Sequence, residues 1–449
     1  MKFWRVILPN ILKILFNMLN PTLNNNKTNK KEKYHIFLVF LLLIISGNPF
    51  IGFYLGGEAP LVIISIFLVW SLFQSNIPII ENKGGIIFFI FSIISLFQII
   101  YFNSFPIVTI IGFLLRLFIG YAIIRLVVNF PQLYIKVLYK LCILAVIIWS
   151  IGRTGLLDGI ILSLPELQYN KWSHISSHSV GFHTFFISPE TGVLRNAGLF
   201  WEPGAFAGYI IVAMIFLSLS RQHFTKKDYK KYLFIFLIAL LTTLSSAGYM
   251  LLPFTLFLGY NFKNKRGSHK LKPFTILLVI SFIIPLGALF AFNNIDFLQE
   301  KISSQLQGTL AMSGNDLAYN NTRFGTMKFD WYYIKSSPIF GNGLHESTRY
   351  RDHRGDRVSG QGNGFTDFIA KFGLLGFCCF TYFLYAGLTH CFGRSKKILL
   401  TVFIMFASLN AEPFLNYPLY LGFMFLNLSN KKIEANNKHN IRTNDFFEI

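Results

Sequence analysis

Apolar stretches recur along this chain at close to the length that an α-helix needs to cross a bilayer. That recurrence decides most of what the chain can fold into. A hydrocarbon core of about 30 Å takes about 20 residues of helix. The stretches read as spans are 36–54, 58–74, 86–101, 106–128, 134–151, 203–220, 232–246, 247–262, 273–293, 365–392, 398–410 and 416–429. Only 14% of the 449 residues are charged, 53% are hydrophobic and the mean hydropathy is +0.50. A soluble domain carries about a quarter charged residues, so the exterior of this chain needs a solvent other than water. The expected fold is all-α: a polytopic membrane helical bundle of about 12 transmembrane helices. It forms one unit over 36–429, between an N-terminal segment 1–35 and a tail 430–449.

The net charge of +21, from 41 Lys and Arg against 20 Asp and Glu, reads as topology rather than nucleic-acid binding. Lys27, Lys30, Lys31 and Lys33 precede the first span; Lys226, Lys227, Lys230 and Lys231 form one loop, and Lys263, Lys265, Arg266, Lys270 and Lys272 another. Arg394, Lys396 and Lys397 mark a third, and Lys431, Lys432 and Lys438 the tail. An even number of spans brings all of them to one side, which the positive-inside rule makes the cytoplasm. Both termini are then cytoplasmic, and two long segments, about 152–202 and 294–364, fold over the outer face. The run Ile7 to Leu19 reads as an uncleaved interfacial helix, since the polar stretch Asn24 to Lys33 follows it and no small-residue cleavage site does. Cys142, Cys378, Cys379 and Cys391 lie in apolar stretches and predict neither disulfide nor metal. The scattered histidines, His174, His178, His183, His345 and His353 among them, read as surface residues.

Candidate chemistry concentrates in the two outer loops. In the run from Arg195 to Gly204, Pro203 suits a first helical turn. The free N–H groups of that turn, with Arg195 near, make an anion site, and Glu202 stands at the boundary as a carboxylate that needs a partner. The competing reading is a helix cap with a structural Arg–Glu pair. Arg323 and Asp330 share a face if their stretch is helical, and Trp331, Tyr332 and Lys335 follow. These aromatics suit sugar rings, or else an amphipathic helix lies on the bilayer there. Arg349, Arg351, Arg354 and Arg357 suit phosphate, although Asp352 and Asp356 interleave with them. The Gly-rich run Ser359 to Gly364, with Gln361 and Asn363, permits close approach of backbone to a ligand or serves as a hinge. Arg116, near the middle of its span, should face the bundle interior with a partner.

Together these places resemble the O-antigen polymerase and ligase superfamily of bacterial inner membranes. Arg195 to Ala207 resembles the family's Arg and Pro-Gly stretch opening a middle span. Thr242 to Gly248 resembles its Thr-x-Ser-x-x-Gly turn. Arg323 to Gly343, with Asn363 to Gly376, resembles its large periplasmic loop. The resemblance implies a GT-C-like, inverting and metal-independent glycosyltransferase with no cofactor. Its substrate would be an oligosaccharide repeat unit on undecaprenyl pyrophosphate at the periplasmic face, and a chain-length regulator is an expected protein partner. Arg195 and Arg323 match the places that hold pyrophosphate. Glu202 is the first candidate base and Asp330 the second. Arg116, Trp331, Tyr332, Lys335, Arg349, Arg351, Arg354, Gln361 and Asn363 are expected around the substrate. The ligase loop has a His where this chain has Gly362, which favours a polymerase over a ligase. A flippase of the same lipid-linked glycan would instead place polar residues along its spans.

Overall fold

The computed structural model describes residues 27–49, 58–164, 177–179, 181–187, 192–259, 323–345, 348–349 and 363–429. Thirteen helices stand in order among them: α1 (Lys27–Ile45), α2 (Ala59–Gln74), α3 (Asn82–Phe102), α4 (Ile107–Leu126), α5 (Phe130–Arg153), α6 (Asp158–Ser163), α7 (Pro203–Leu219), α8 (Lys226–Thr242), α9 (Ser246–Leu258), α10 (Arg323–Ser336), α11 (Gly364–Phe392), α12 (Lys396–Leu409) and α13 (Pro418–Gly422). The last continues as a 3₁₀ helix over Phe423–Leu428. Each expected span has a helix, except 273–293, which lies outside the described residues together with the 7–19 stretch and the tail. Four helices, α3, α4, α5 and α11, are long and apolar enough to cross a bilayer unaided. Several others are apolar but shorter, so the structure carries the helical membrane character without fixing a dozen crossings.

Boundaries shift where local chemistry intervenes. α1 ends at Ile45 rather than 54: a turn at Ser46 and Gly47 interrupts it before Pro49, which is helical again, glycine being a poor helix residue and proline suited to a first helical turn. The α8–α9 turn falls on Thr243 to Ser245, since the Ser245 hydroxyl caps α9 by accepting from the Gly248 N–H. The segment 152–202 is not all helix and loop. It holds α6 and a three-stranded antiparallel sheet, β1 (Ser177–Ser179), β2 (Thr184–Ile187) and β3 (Leu194–Asn196), with Phe185 opposite His178 and Phe186 opposite Arg195. The run Thr-Phe-Phe-Ile is β-branched and aromatic, which suits a half-buried strand.

α7 is the hub. Every residue from Pro203 to Ser218 is buried, as expected of a helix that is apolar all round, and α5, α8, α9 and α12 pack against it. The peripheral helices do the opposite. Ile63, Ile66, Trp70 and Phe73 form an exposed stripe on α2, and Ile86, Phe89, Ile93, Leu96 and Ile100 one on α3. Stripes this long and apolar are rare on soluble monomers and are the surface a helix presents to lipid. Where α4 crosses α13, Gly120 and Gly422 bring the backbones so close that a Cβ on Gly120 would overlap the Pro418 carbonyl. Small residues at such crossings give membrane helices their contact.

The bundle has two chemically different ends. At one, basic side chains cap helix carbonyls: Arg221 donates to Gly259 (2.8 Å), Lys397 to Leu258 (2.8 Å) and Arg125 to Leu428 (3.1 Å). Arg125 also pairs with Glu81 (2.8 Å). Cations at helix C-termini complement the macrodipole. The lysine-rich start of α8 lies at this end, and its other terminus, with the α8–α9 turn, belongs to the opposite one.

Candidate functional site

The end opposite the basic caps gathers most of the described candidate residues. Arg195, in β3, is buried and donates from Nε to the Thr243 carbonyl (3.1 Å) and from Nη2 to that of Leu244 (2.9 Å), with its guanidinium over the Phe186 ring. Leu244 has φ +50°, a left-handed conformation that costs a non-glycine residue about 1–2 kcal/mol. Arg195 therefore holds a strained turn by its two carbonyls. Beside it, Asn196 donates to the Thr242 hydroxyl (2.9 Å) and accepts from the Gly198 N–H (3.0 Å). This chain of contacts sets the entry of α7, where Pro203 is the first residue and Glu202 precedes it in extended conformation. The Glu202 carboxylate is half-buried and caps nothing.

Among the described residues Glu202 forms no ion pair with Arg195, and it acts instead on Tyr417. Glu202, Glu412 and Arg116 all act on the Tyr417 hydroxyl, and Trp201 stacks on the Tyr417 ring at 4.7 Å. Arg116 has the partner that its depth requires: Nη2 donates to Glu58 at 2.8 Å, with about a third of the guanidinium side chain still exposed (31%). Glu58 sits against Gly112, where a Cβ would strike its carboxylate. Arg116 is thus ion-paired with Glu58, and Glu202 and Glu412 lie within electrostatic reach of the same Tyr417.

A second cluster joins α10 to α11. Asp330, on the inner face of α10, accepts from the Thr366 hydroxyl at 2.6 Å. Burial, with the nearby Asp367 carboxylate adding to it, pushes the Asp330 carboxyl up to about 7. Asp367 is held from two sides, by Arg349 Nη1 (2.9 Å) and by Lys371 Nζ (2.5 Å), and Lys371 also donates to Asn416 (2.7 Å). Arg349, Asp367 and Lys371 are all buried. Asn363 caps α11, accepting from the Phe365 and Thr366 N–H groups and donating to Asn410 (3.1 Å). α11 breaks at Gly373 (φ +64°, ψ −172°). The segment Pro338 to Gly343 is spliced into the break: the N–H groups of Asn342 and Gly343 donate to Ala370 and Lys371, and those of Leu374 and Leu375 to Pro338 and Ile339, at 2.8–3.1 Å.

Arg323 begins α10, which packs against α11, whereas β3 with Arg195 packs against α5, α7 and α8. Trp331, Tyr332 and Lys335 lie on the exposed side of α10, with the Lys335 ammonium 5.9 Å from the Trp331 ring centre. Arg351, Arg354, Arg357 and Gln361 lie outside the described residues, as do His174 and His353. His178 and His183 are buried rather than on the surface, because β1, β2 and the adjoining turn enclose them. Burial alone lowers His183 to about 3. Glu58, Asp367 and Lys371 were not legible as site residues. Glu58 lies at the start of a short apolar stretch and the partner it meets is far along the chain; the Asp367–Lys371 pair, four residues apart, was the available signal.

Fold and site together define a helical membrane protein whose buried and half-buried charges concentrate at the end opposite its basic turns. Compared with models of known protein families, with curated proteins and with solved structures, the chain has no match.

Proposed function

We propose that this protein is an O-antigen polymerase of the inner membrane. In this reading it has about twelve crossings in a GT-C-like arrangement and works at the periplasmic face. It joins oligosaccharide repeat units carried on undecaprenyl pyrophosphate. The observation that carries the reading is the mouth of α7, where the uncapped Glu202 carboxylate shares one neighbourhood with Arg116 and the Tyr417–Trp201 stack. Glu202 takes the proton of the acceptor hydroxyl as the acceptor oxygen bonds to the anomeric carbon. The bond from that carbon to the phosphate oxygen breaks on the opposite face, and undecaprenyl pyrophosphate leaves with the electron pair, so configuration inverts. Arg323 and Arg116 supply positive charge for the leaving group, fixed charge being worth most where water is excluded. Trp331 and Tyr332 offer ring faces to the sugars. Arg195, Asp330 and Arg349, being buried, act as positioning residues.

Deletion of the gene followed by gel analysis of the lipopolysaccharide tests the class. Core bearing a single repeat unit is the expected result. Bare core with polymer stranded on the carrier would make the protein a ligase, and bare core without polymer a flippase. Glu202→Gln in the restored strain should lower polymer formation about 100-fold, within the usual range for losing an acid–base group, at unchanged protein abundance.

A further inference from the structure

Glu58 stands immediately before α2, where a polar side chain ordinarily accepts from the first free N–H groups of its helix. Here no side-chain bond of that kind forms. The carboxylate reaches across to α4 instead, and Oε1 accepts from Arg116 Nη2 at 2.8 Å. Oε2 has no hydrogen-bond partner among the described residues, so Arg116 is the contact to which the carboxylate is given. α4 itself makes room for that reach. Gly112 is buried one turn before Arg116, on the same helix face, and a Cβ there would overlap the Glu58 carboxylate. Glycine inside a helix costs about 1 kcal/mol relative to alanine. α4 thus gives up helix propensity at the position that seats this one side chain. α2 packs along α4, which fixes seat and carboxylate relative to each other.

Neutralising an arginine within a membrane bundle requires a carboxylate nearby. It does not require a glycine seat that dictates where the carboxylate lies. The pair is also open: 31% of the Arg116 side chain and 24% of the Glu58 side chain are exposed. Among the described residues Glu58 engages Nη2 alone, so Nε and Nη1 keep their donors for a ligand. Arg116 acts on Tyr417, as Glu202 does, which brings the guanidinium into the neighbourhood of the α7 mouth. A charge already fixed in place stabilises a departing phosphate without reorganising as the bond breaks. We propose that Glu58, seated on Gly112, is a positioning residue that holds Arg116 for the pyrophosphate leaving group. The inference rests on the polymerase reading above, and it separates holding the arginine from neutralising it.

The test uses the purified full chain in nanodiscs and the lipid-linked repeat unit that accumulates in the deletion strain, with polymer formation followed over a range of substrate concentrations. Glu58→Asp is the first variant, because it keeps the charge and shortens the reach by one methylene. It should lower kcat about tenfold at an unchanged KM and melting temperature, within the roughly 100-fold that a 1 Å misplacement can cost. A carboxylate that only neutralises Arg116 would serve as well from aspartate, so a wild-type kcat in Glu58→Asp overturns the proposal. Gly112→Ala keeps both charges and displaces the carboxylate, and it decides by the same criterion if Glu58→Asp does not fold. Glu58→Gln and Arg116→Gln complete a double-mutant cycle. Arg116→Gln alone should cost more than Glu58→Gln, and combining the two should cost nothing further. A further loss in the combined variant means that Glu58 acts apart from Arg116 and also overturns the proposal. Absence of polymer from the wild type overturns the polymerase reading with it, whereas polymer from the wild type and from Glu58→Asp alike overturns the role of Glu58 alone.

Discussion

Arg195 commits its guanidinium to two backbone carbonyls, and Asp330 is 2% exposed on the inner face of α10. Both residue types and both positions suggest chemistry in the sequence; burial gives them a different task. Asp330 makes its task measurable. Its carboxyl is raised from the ordinary 3.8 to about 7 in the folded chain, so between those values the unfolded chain holds fewer protons than the folded one. Stability from the protonated group is then complete below about pH 4 and is lost as pH rises through about 7. Asp330→Asn removes that dependence. The difference in melting temperature between variant and wild type, measured in detergent, should shift in favour of the variant from pH 5 to pH 8. A constant difference across that range would contradict a protonated Asp330. His183 slopes the other way: with its folded value at about 3, it favours the folded state as pH rises through the ordinary histidine range. The comparison with Asp330→Asn cancels its contribution. None of this is legible in sequence, because Asp330 owes its shift first to burial against α11 and then to Asp367, both of which meet it only after folding.

At the scale of elements, hydropathy located most helices well, since a helix in lipid satisfies its backbone internally and needs only apolar length. It placed α3, α4, α5, α7 and α11 within a few residues. It failed where the backbone leaves the helix for reasons of detail: the turn at Ser46 and Gly47, the strands around His183, and the break inside α11. The glycine motif at 341–343 was read as part of a loop, and the structure makes it the plug of that break. Gly373 has the positive φ and extended ψ that essentially only glycine adopts, and a Cβ there would overlap the Ile339 carbonyl. Gly373→Ala should therefore destabilise the protein by about 2–4 kcal/mol, adding the backbone cost of roughly 1–3 kcal/mol to the clash. Gly376→Ala is a poorer control because Phe372 crowds that site; Gly393→Ala, with positive φ and open surroundings, isolates the backbone part. Thermal unfolding in detergent should rank Gly373→Ala below Gly393→Ala. Equal melting temperatures would mean that the spliced segment yields freely.

For the whole molecule, the two ends carry the functional argument, because the polymerase reading needs the α7 mouth and the basic caps on opposite sides of the bilayer. The lysine clusters supply the expected direction, and the helix order relates it to the site. α8 begins among Lys226, Lys227, Lys230 and Lys231 and ends at the turn that Arg195 holds. α12 begins at Lys396 and ends at Asn410, which bonds the cap of α11. Each connects the basic end to the candidate site, though neither alone has the length to cross by composition. Single-cysteine variants in a background lacking the four native cysteines test the arrangement in intact cells, with a maleimide that does not cross the inner membrane. Gly181→Cys, in the β1–β2 turn, should react. Asp228→Cys, in the first turn of α8, should react only after the membrane is permeabilised. The exposed pair Asn410→Cys and Ser395→Cys brackets α12 and should divide the same way. If the two members of either pair react alike, that helix does not cross, and Glu202 and the lysine clusters no longer have to face different compartments. The polymerase site would then lose the periplasmic access on which its substrate depends.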